Sequence, residues 1–314
     1  MPELPEVETT VNGLKETIIG LTITDAWSDY NSVYWKGSES IRDPEYFKYF
    51  KKQVLGKKIV GVRRRAKNIL IELNSNNKKD GDVILVHMKM TGHFLFGVFD
   101  FTHVGHVYKW IPITPESLKD PFNRHIHFVL TFSNKKRLAL SDSRKFAKVT
   151  LIKADEMEKT LHLKDLGPEP LDPKFTFDKF KARISLRPNG KIKQVLMEQK
   201  IIAGIGNIYA DESLWRAGIH PLEQVKNILE KKMWILFDAI KKTLARGIDF
   251  GGDSMSDYRN IHGEKGKFQE QHSAYRKTGM KCGKKGCRGI ITRVIVGARS
   301  AHFCSVHQKL LGHK

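Results

Sequence analysis

Apolar residues recur every three or four positions at Val7, Val11, Leu14 and Ile18, a spacing that predicts an amphipathic helix at the start of the chain. From Ile23 to about Leu151 the spacing becomes alternation. It is clearest in Ile59 to Leu73 and Val83 to Phe96 and is bounded by glycines and the cluster Asn74-Ser75-Asn76, so this half is expected to be mostly β, with the opening helix packed on its sheets. The run Leu166-Gly167-Pro168-Glu169-Pro170-Leu171-Asp172-Pro173 holds three prolines in eight residues and reads as a linker. Beyond it the period turns helical over Phe175 to Ile184, Lys193 to Gln199, Asn207 to Ala217 and Leu222 to Arg246, punctuated by Gly204-Ile205-Gly206 and Gly218-Ile219-His220-Pro221. Gly289 to Val296 is β-branched and reads as a strand, with Gly297-Ala298-Arg299-Ser300 as the turn of a hairpin. The pattern predicts an α+β multidomain chain: residues 1–165, a linker at 166–173, a helical domain at 174–275 and a small β-hairpin domain at 276–314.

Charge then narrows the partners. Lys and Arg number 55 against 34 Asp and Glu, a net charge of +21, so the chain should attract a polyanion, nucleic acid first. Charge alone also admits a ribosome-associated protein or one held at an anionic membrane surface. No apolar stretch approaches the roughly 18 residues of a spanning helix. The acidic start lacks the basic segment of a signal peptide, which points to a cytoplasmic, nucleoid-associated protein.

All three cysteines lie near the end of the chain, at Cys282, Cys287 and Cys304, and His307 follows. The pattern C-x4-C, sixteen residues, then C-x2-H offers four ligands as two close pairs, the layout of a structural zinc ribbon. His307 is the ligand with alternatives, His302 or His313.

The start Met1-Pro2-Glu3-Leu4-Pro5-Glu6 carries a further chemistry. Cleavage after Met1 would free a secondary amine at Pro2, and a neutral amine is a nucleophile. Attack on a sugar C1′ would give an iminium ion that is already cationic, with Glu3 beside it as acid or base. The plain alternative is that Pro2, Pro5 and the glutamates simply open a helix.

Four blocks decide between these readings: Pro2-Glu3-Leu4-Pro5-Glu6-Val7-Glu8-Thr9, Ala203-Gly204-Ile205-Gly206-Asn207-Ile208-Tyr209-Ala210-Asp211-Glu212-Ser213-Leu214, Ala217-Gly218-Ile219-His220-Pro221 and the terminal ribbon. Together, and in this order, they resemble the formamidopyrimidine-DNA glycosylases of the Fpg/Nei family. The resemblance implies an N-terminal β-sandwich, a helix-two-turn-helix DNA-binding domain and a zinc ribbon. It implies a bifunctional glycosylase and abasic-site lyase in which Pro2 attacks C1′, Glu3 moves protons and Lys67, in Arg65-Ala66-Lys67, assists the elimination. Arg63 to Arg65 keep the plainer reading of a solvated basic strand edge. Met90 would fill the hole left by an everted nucleotide, while Arg144 and Phe146 contact the orphaned base and wedge the stack. Asn207 would grip phosphate, Arg299 would grip phosphate and, as a fourth catalytic residue, help proton transfer, and His125 and Lys193 match further DNA contacts. The implied partner is double-stranded DNA with oxidised bases or abasic sites, the implied cofactor one structural zinc ion, and the implied state a monomer.

Several positions depart from the family. The first cysteine pair is usually C-x2-C, and a fourth cysteine usually stands where His307 does. Ala298 and Ser300 replace glycines that commonly flank the arginine at the hairpin tip. The stretch Phe94 to Arg124 is longer than usual and has no evident role. The spacing of Arg144 and Phe146 and the loop Gly263 to Gln269 favour oxidised purines (8-oxoguanine and formamidopyrimidines) over the oxidised pyrimidines of the Nei branch. A non-catalytic zinc-ribbon protein that binds damaged DNA would share every feature except the need for a free Pro2.

Overall fold

The computed structural model describes all residues except 31, 76–80, 105–106, 161–162 and 311–314. The chain divides into two compact units, one of Met1–Lys164 with Phe250–Lys267 and one of Asp165–Asp249 with Phe268–Lys314. The segment 250–267 lies within the expected helical domain in sequence, yet it packs in the first unit.

In the first unit, helix α1 (Leu4–Thr17) precedes β1 (Ile23–Ser28), α2 (Pro44–Val54) and eight further strands. These are β2 (Ile59–Arg65), β3 (Asn68–Leu73), β4 (Asp82–His87), β5 (His93–Val104), β6 (Val107–Thr114), β7 (Ile126–Phe132), β8 (Arg137–Ser141) and β9 (Lys148–Lys153). They form a five-stranded sheet in the order β1-β7-β8-β5-β6 and a four-stranded sheet in the order β2-β3-β4-β9. Val7, Val11, Leu14 and Ile18 of the predicted stripe are fully buried in one core with Ile69, Ile71, Ile84 and Val86 of the smaller sheet and Phe128, Leu130, Leu138 and Leu140 of the larger. The two sheets thus make the expected sandwich, and α1 belongs to its core.

Helix α2 interrupts the stretch expected to be β. Its start is explicit in hindsight: Asp43 caps it by accepting from Glu45 N (2.9 Å), and Pro44 occupies the first turn, where its missing N–H costs nothing.

The second unit contains α3 (Phe177–Ile184), α4 (Ile192–Met197), α5 (Asn207–Ala217), α6 (Glu230–Asp249) and the hairpin β10 (Ile291–Val296) and β11 (Arg299–Cys304). The single helix expected from Leu222 to Arg246 is corrected: a short 3-10 turn, Val225–Asn227, precedes α6. Backbone pairing explains the break, because Glu223 O accepts from Ile192 N (2.8 Å) and Gln224 bridges Lys191, which diverts these groups from a helix.

Candidate active site and nucleic-acid interface

At the head of α1, Glu3 caps the helix and is almost fully buried, as is Glu6. The Glu6 carboxylate accepts from the Glu3 backbone N–H at 2.7 Å, one arm of a capping box that fixes the chain direction at Pro2. Its other oxygen accepts from Asp253 N at 2.7 Å. Pro2 itself is buried at this end.

Lys67 stands in the two-residue turn between β2 and β3, where Arg65 pairs with Asn68 and Ala66 adopts φ 53°. It is only 5 % exposed. Arg64 ties this turn to α1 by donating to Glu8 (2.5 Å) and to Ala66 O (3.0 Å). Arg63 donates to Glu72 at 2.5 Å. The reading of Arg63 to Arg65 as a solvated edge is therefore corrected for Arg64, whose side chain is largely buried and paired with Glu8 of α1.

Met90, His125, Arg144 and Phe146 come together around one buried carboxylate, Asp142. Met90 is partly exposed in the β4–β5 turn, whereas its neighbour Met88 is core. Thr91 Oγ1 of that turn donates to Asp142 Oδ1, as does Arg144 N (3.3 Å), and Asp142 Oδ2 accepts from Ala147 N (2.7 Å) and Tyr30 Oη (2.9 Å). Asp142 N donates to His125 O at 2.7 Å. Burial and the adjoining carboxylate push the Tyr30 phenol far above its ordinary value, so it is a donor here. Phe146 remains 42 % exposed beneath the Arg144 guanidinium, 4.4 Å from its ring centre. An exposed apolar ring on a rigid turn can enter a base stack. Burial and the neighbouring Arg124 cation lower the His125 pKa, which leaves it predominantly neutral near pH 7.

In the second unit Asn207 opens α5 after Gly204, whose φ is +87°. Gln199, unassigned from the sequence, shapes this turn: its amide accepts from Gly204 N (2.9 Å) and donates to Ile205 O (2.8 Å). Asn207 Oδ1 is buried with no hydrogen-bond partner among the described residues.

Arg299 is exposed, but the hairpin tip differs from expectation. Gly297 and Ala298 alone form the turn, both left-handed (φ 54° and 60°), and Arg299 pairs with Val296 as the first residue of β11. A two-residue turn with both residues left-handed matches strand twist, so Ala298 is accommodated at a steric cost rather than by a wider loop.

Lys193 requires a correction. It has 0 % exposure, its ammonium donating to Asp211 Oδ1 (2.6 Å) and to Ser300 O (2.5 Å). In this conformation it cannot reach a phosphate. Asp211 Oδ2 also accepts from His302 N (2.9 Å) and lies 2.9 Å from its Nδ1. This network seats the strand next to Arg299.

Cys282, Cys287, Cys304 and His307 gather with all ligand atoms within 4.8 Å of one another. Cys282 Sγ and Cys287 Sγ lie 3.5 and 3.6 Å from His307 Nδ1, and Cys287 Sγ lies 3.5 Å from Cys304 Sγ. A zinc tetrahedron with bonds near 2.1 to 2.3 Å needs edges of about 3.6 Å, so the donor set fits. The two extra residues of C-x4-C are absorbed in a turn closed by Cys287 N donating to Lys284 O (2.9 Å), with Gly286 at φ +77°. Trp215 O, 3.1 Å from His307 Nε2, leaves Nδ1 for the metal. His302 is engaged by Asp211 and is no ligand in this arrangement. His313 lies outside the described residues.

Known proteins share this architecture. The formamidopyrimidine-DNA glycosylase N-terminal domain model matches residues 1–149, and the model of the same enzymes' H2TH domain matches residues 166–259. Formamidopyrimidine-DNA glycosylases of Herpetosiphon aurantiacus and Bacillus subtilis are 35 % and 34 % identical to the chain. The first alignment covers 98 % of this chain and 100 % of the relative; the second covers 97 % and 98 %. Among solved structures, Lactococcus lactis Fpg in complex with abasic-site DNA superposes with a TM-score of 0.79 at 31 % identity, covering 98 % of this chain and 99 % of that one. A MutM complex with DNA containing carbocyclic 8-oxo-G gives 0.78 at 31 % identity, covering 98 % and 100 %. With both domain models in order and relatives aligned from end to end, the chain belongs to the formamidopyrimidine-DNA glycosylase family.

Proposed function

We propose that this chain is a DNA glycosylase and abasic-site lyase of base excision repair that removes oxidised purines from double-stranded DNA as a monomer. It acts in the cytoplasm on nucleoid DNA. The observation that carries the reading is the construction at the head of α1. Glu6 fixes the Glu3 backbone at 2.7 Å, and Glu8 fixes Arg64 at 2.5 Å beside the Lys67 turn, so one helix fastens both the Pro2-Glu3 start and the strand that leads into the turn of Lys67.

In this mechanism removal of Met1 frees the Pro2 amine, which attacks C1′ of the everted nucleotide. The N-glycosidic bond breaks, the base leaves with a proton, and a cationic iminium joins Pro2 to the opened sugar. Glu3 passes the proton needed for ring opening. Loss of a C2′ proton then expels the 3′ phosphate, and a second elimination expels the 5′ phosphate, with the Lys67 ammonium against the phosphate. Water finally releases the sugar fragment and restores the amine. Met90, Arg144 and Phe146 hold the vacated stack, His125 meets the backbone, and Asn207 and Arg299 grip phosphates. Zinc held by Cys282, Cys287, Cys304 and His307 is structural.

Borohydride trapping tests the reading. The processed protein should become covalently linked to abasic-site DNA through Pro2, and Pro2→Gly should weaken or abolish the adduct. No adduct from protein shown by mass to lack Met1 would leave a damaged-DNA-binding protein instead. For the lesion, excision of 8-oxoguanine opposite cytosine should outpace excision of thymine glycol opposite adenine; the reverse order assigns the oxidised pyrimidines.

A further inference from the structure

The long connection between β5 and β7 ends against the segment 250–267. After β6, two short 3-10 turns, Glu116–Lys119 and Pro121–Asn123, present four residues to it. Ser117 Oγ donates to His262 O (2.5 Å) and Asn123 Nδ2 to Gly263 O (3.3 Å). Arg259, only 1 % exposed, donates to both Asp120 oxygens (3.2 and 3.3 Å) while Phe122 stacks 4.5 Å from its guanidinium. The same guanidinium donates to Ser256 O (3.0 Å) and Tyr258 O (2.9 Å), so it binds the segment internally as well as to the connection. Gly263 has φ +82°, and a Cβ there would stand 2.6 Å from Ser117 O, so the two backbones touch.

The segment is a closed loop. Its ends meet where Lys267 N donates to Phe250 O (2.7 Å). It is also tied to the head of α1: Asp253 N donates to the Glu6 carboxylate (2.7 Å) and Tyr258 Oη to Glu6 O (2.9 Å). Between these two anchors Met255 and Ser256 are exposed. The loop is therefore held at two anchors, by Glu6 next to Glu3 and by the connection through Arg259.

We propose that the connection 115–124 is a buttress, and that Arg259 and Asp120 are positioning residues which fix residues 255–257 as a wall for the base next to Glu3. The proposal rests on the catalytic reading of Pro2 and Glu3. An everted base needs that wall, whereas an abasic sugar presents no base to it. Burial works against the Asp120 carboxylate, but the Phe122 N–H and the Arg259 cation more than offset it and hold its pKa below the ordinary aspartate value. The pair is thus ionised at neutral pH, as a bidentate arginine contact requires.

The test uses zinc-loaded protein freed of Met1 and compares wild type, Arg259→Met and the milder Asp120→Asn. Two duplexes are used, one with an oxidised purine and one with a preformed abasic site, together with hydrogen exchange over residues 250–262 of the free protein. Arg259→Met is expected to slow single-turnover excision by about a hundredfold, the scale of a misplacement near 1 Å, while abasic-site cleavage stays within about twofold of wild type. Exchange in 250–262 should rise in both variants, and Asp120→Asn should lie between wild type and Arg259→Met. Equal losses on both duplexes, or exchange unchanged from wild type, overturns the buttress. If wild type cleaves neither duplex, the Pro2 reading fails and the positioning proposal falls with it, and the exchange data alone then decide whether 115–124 braces the loop.

Discussion

Lys193 shows how far a single residue's surroundings can alter a reading carried over from a family resemblance. The resemblance implied a DNA contact there, yet this lysine is fully buried and paired to Asp211 at 2.6 Å. Removing one partner of such a pair leaves the other charge unpaired in the interior, so Lys193→Met should cost about 3 kcal/mol of stability, seen as a lower Tm. Because no phosphate contact is lost, the slope of log affinity against log salt should stay at its wild-type value. Arg299→Ala is expected to do the opposite, lowering the slope by about 0.9 with little change in Tm. A reduced slope for Lys193→Met would return that residue to the DNA. Asp142 and Gln199 were out of reach of sequence reasoning for a related reason. Their roles lie in which backbone groups they accept from, and nothing in local periodicity marks a side chain that braces a turn.

Elements were legible where their signal is local. The stripe of α1, the glycine turn before α5 and the β-branched run of β10 each carry their own periodicity or punctuation, and each forms as expected. Helix α2 has only three turns and sits among alternating strands, so its Asp43-Pro44 start was outweighed by the surrounding pattern. The four residues expected as ligands do gather into one group that could hold a metal ion, because metal spacing is itself a local code. Its strands are six residues each, too short to be stable as an isolated hairpin, and the cluster around them is small: Ala274, Cys282, Ile291 and Cys304 with Trp215 and Cys287. A chelator should therefore lower Tm and weaken DNA binding together, and the purified protein should carry about one zinc per chain. His307→Ala should lower metal affinity by at least tenfold in a competition titration. A Tm indifferent to chelation would show that the ribbon folds without its ion.

At the scale of the whole molecule, the net charge of +21 indicated a polyanion without indicating which contacts are made. The least legible feature was the return of 250–267 to the first unit. Its bonds to Glu6 and Asp120 span 247 and 139 positions, and pairings at such separation leave no trace in a local pattern. The unexplained length of the stretch Phe94 to Arg124 was the visible half of that arrangement, and Arg259 is the other half. Asp142 carries a different kind of consequence. One carboxylate receives the turn of Met90 and the loop of Arg144 and Phe146, and its own backbone fastens His125 at the entry to β7. These segments form a single mechanical part, so that altering one loop resets the others. Exchange of the Arg144 loop alone for that of a relative is a poor route to new lesion preference, and a graft has to carry the three segments and their shared aspartate as one module.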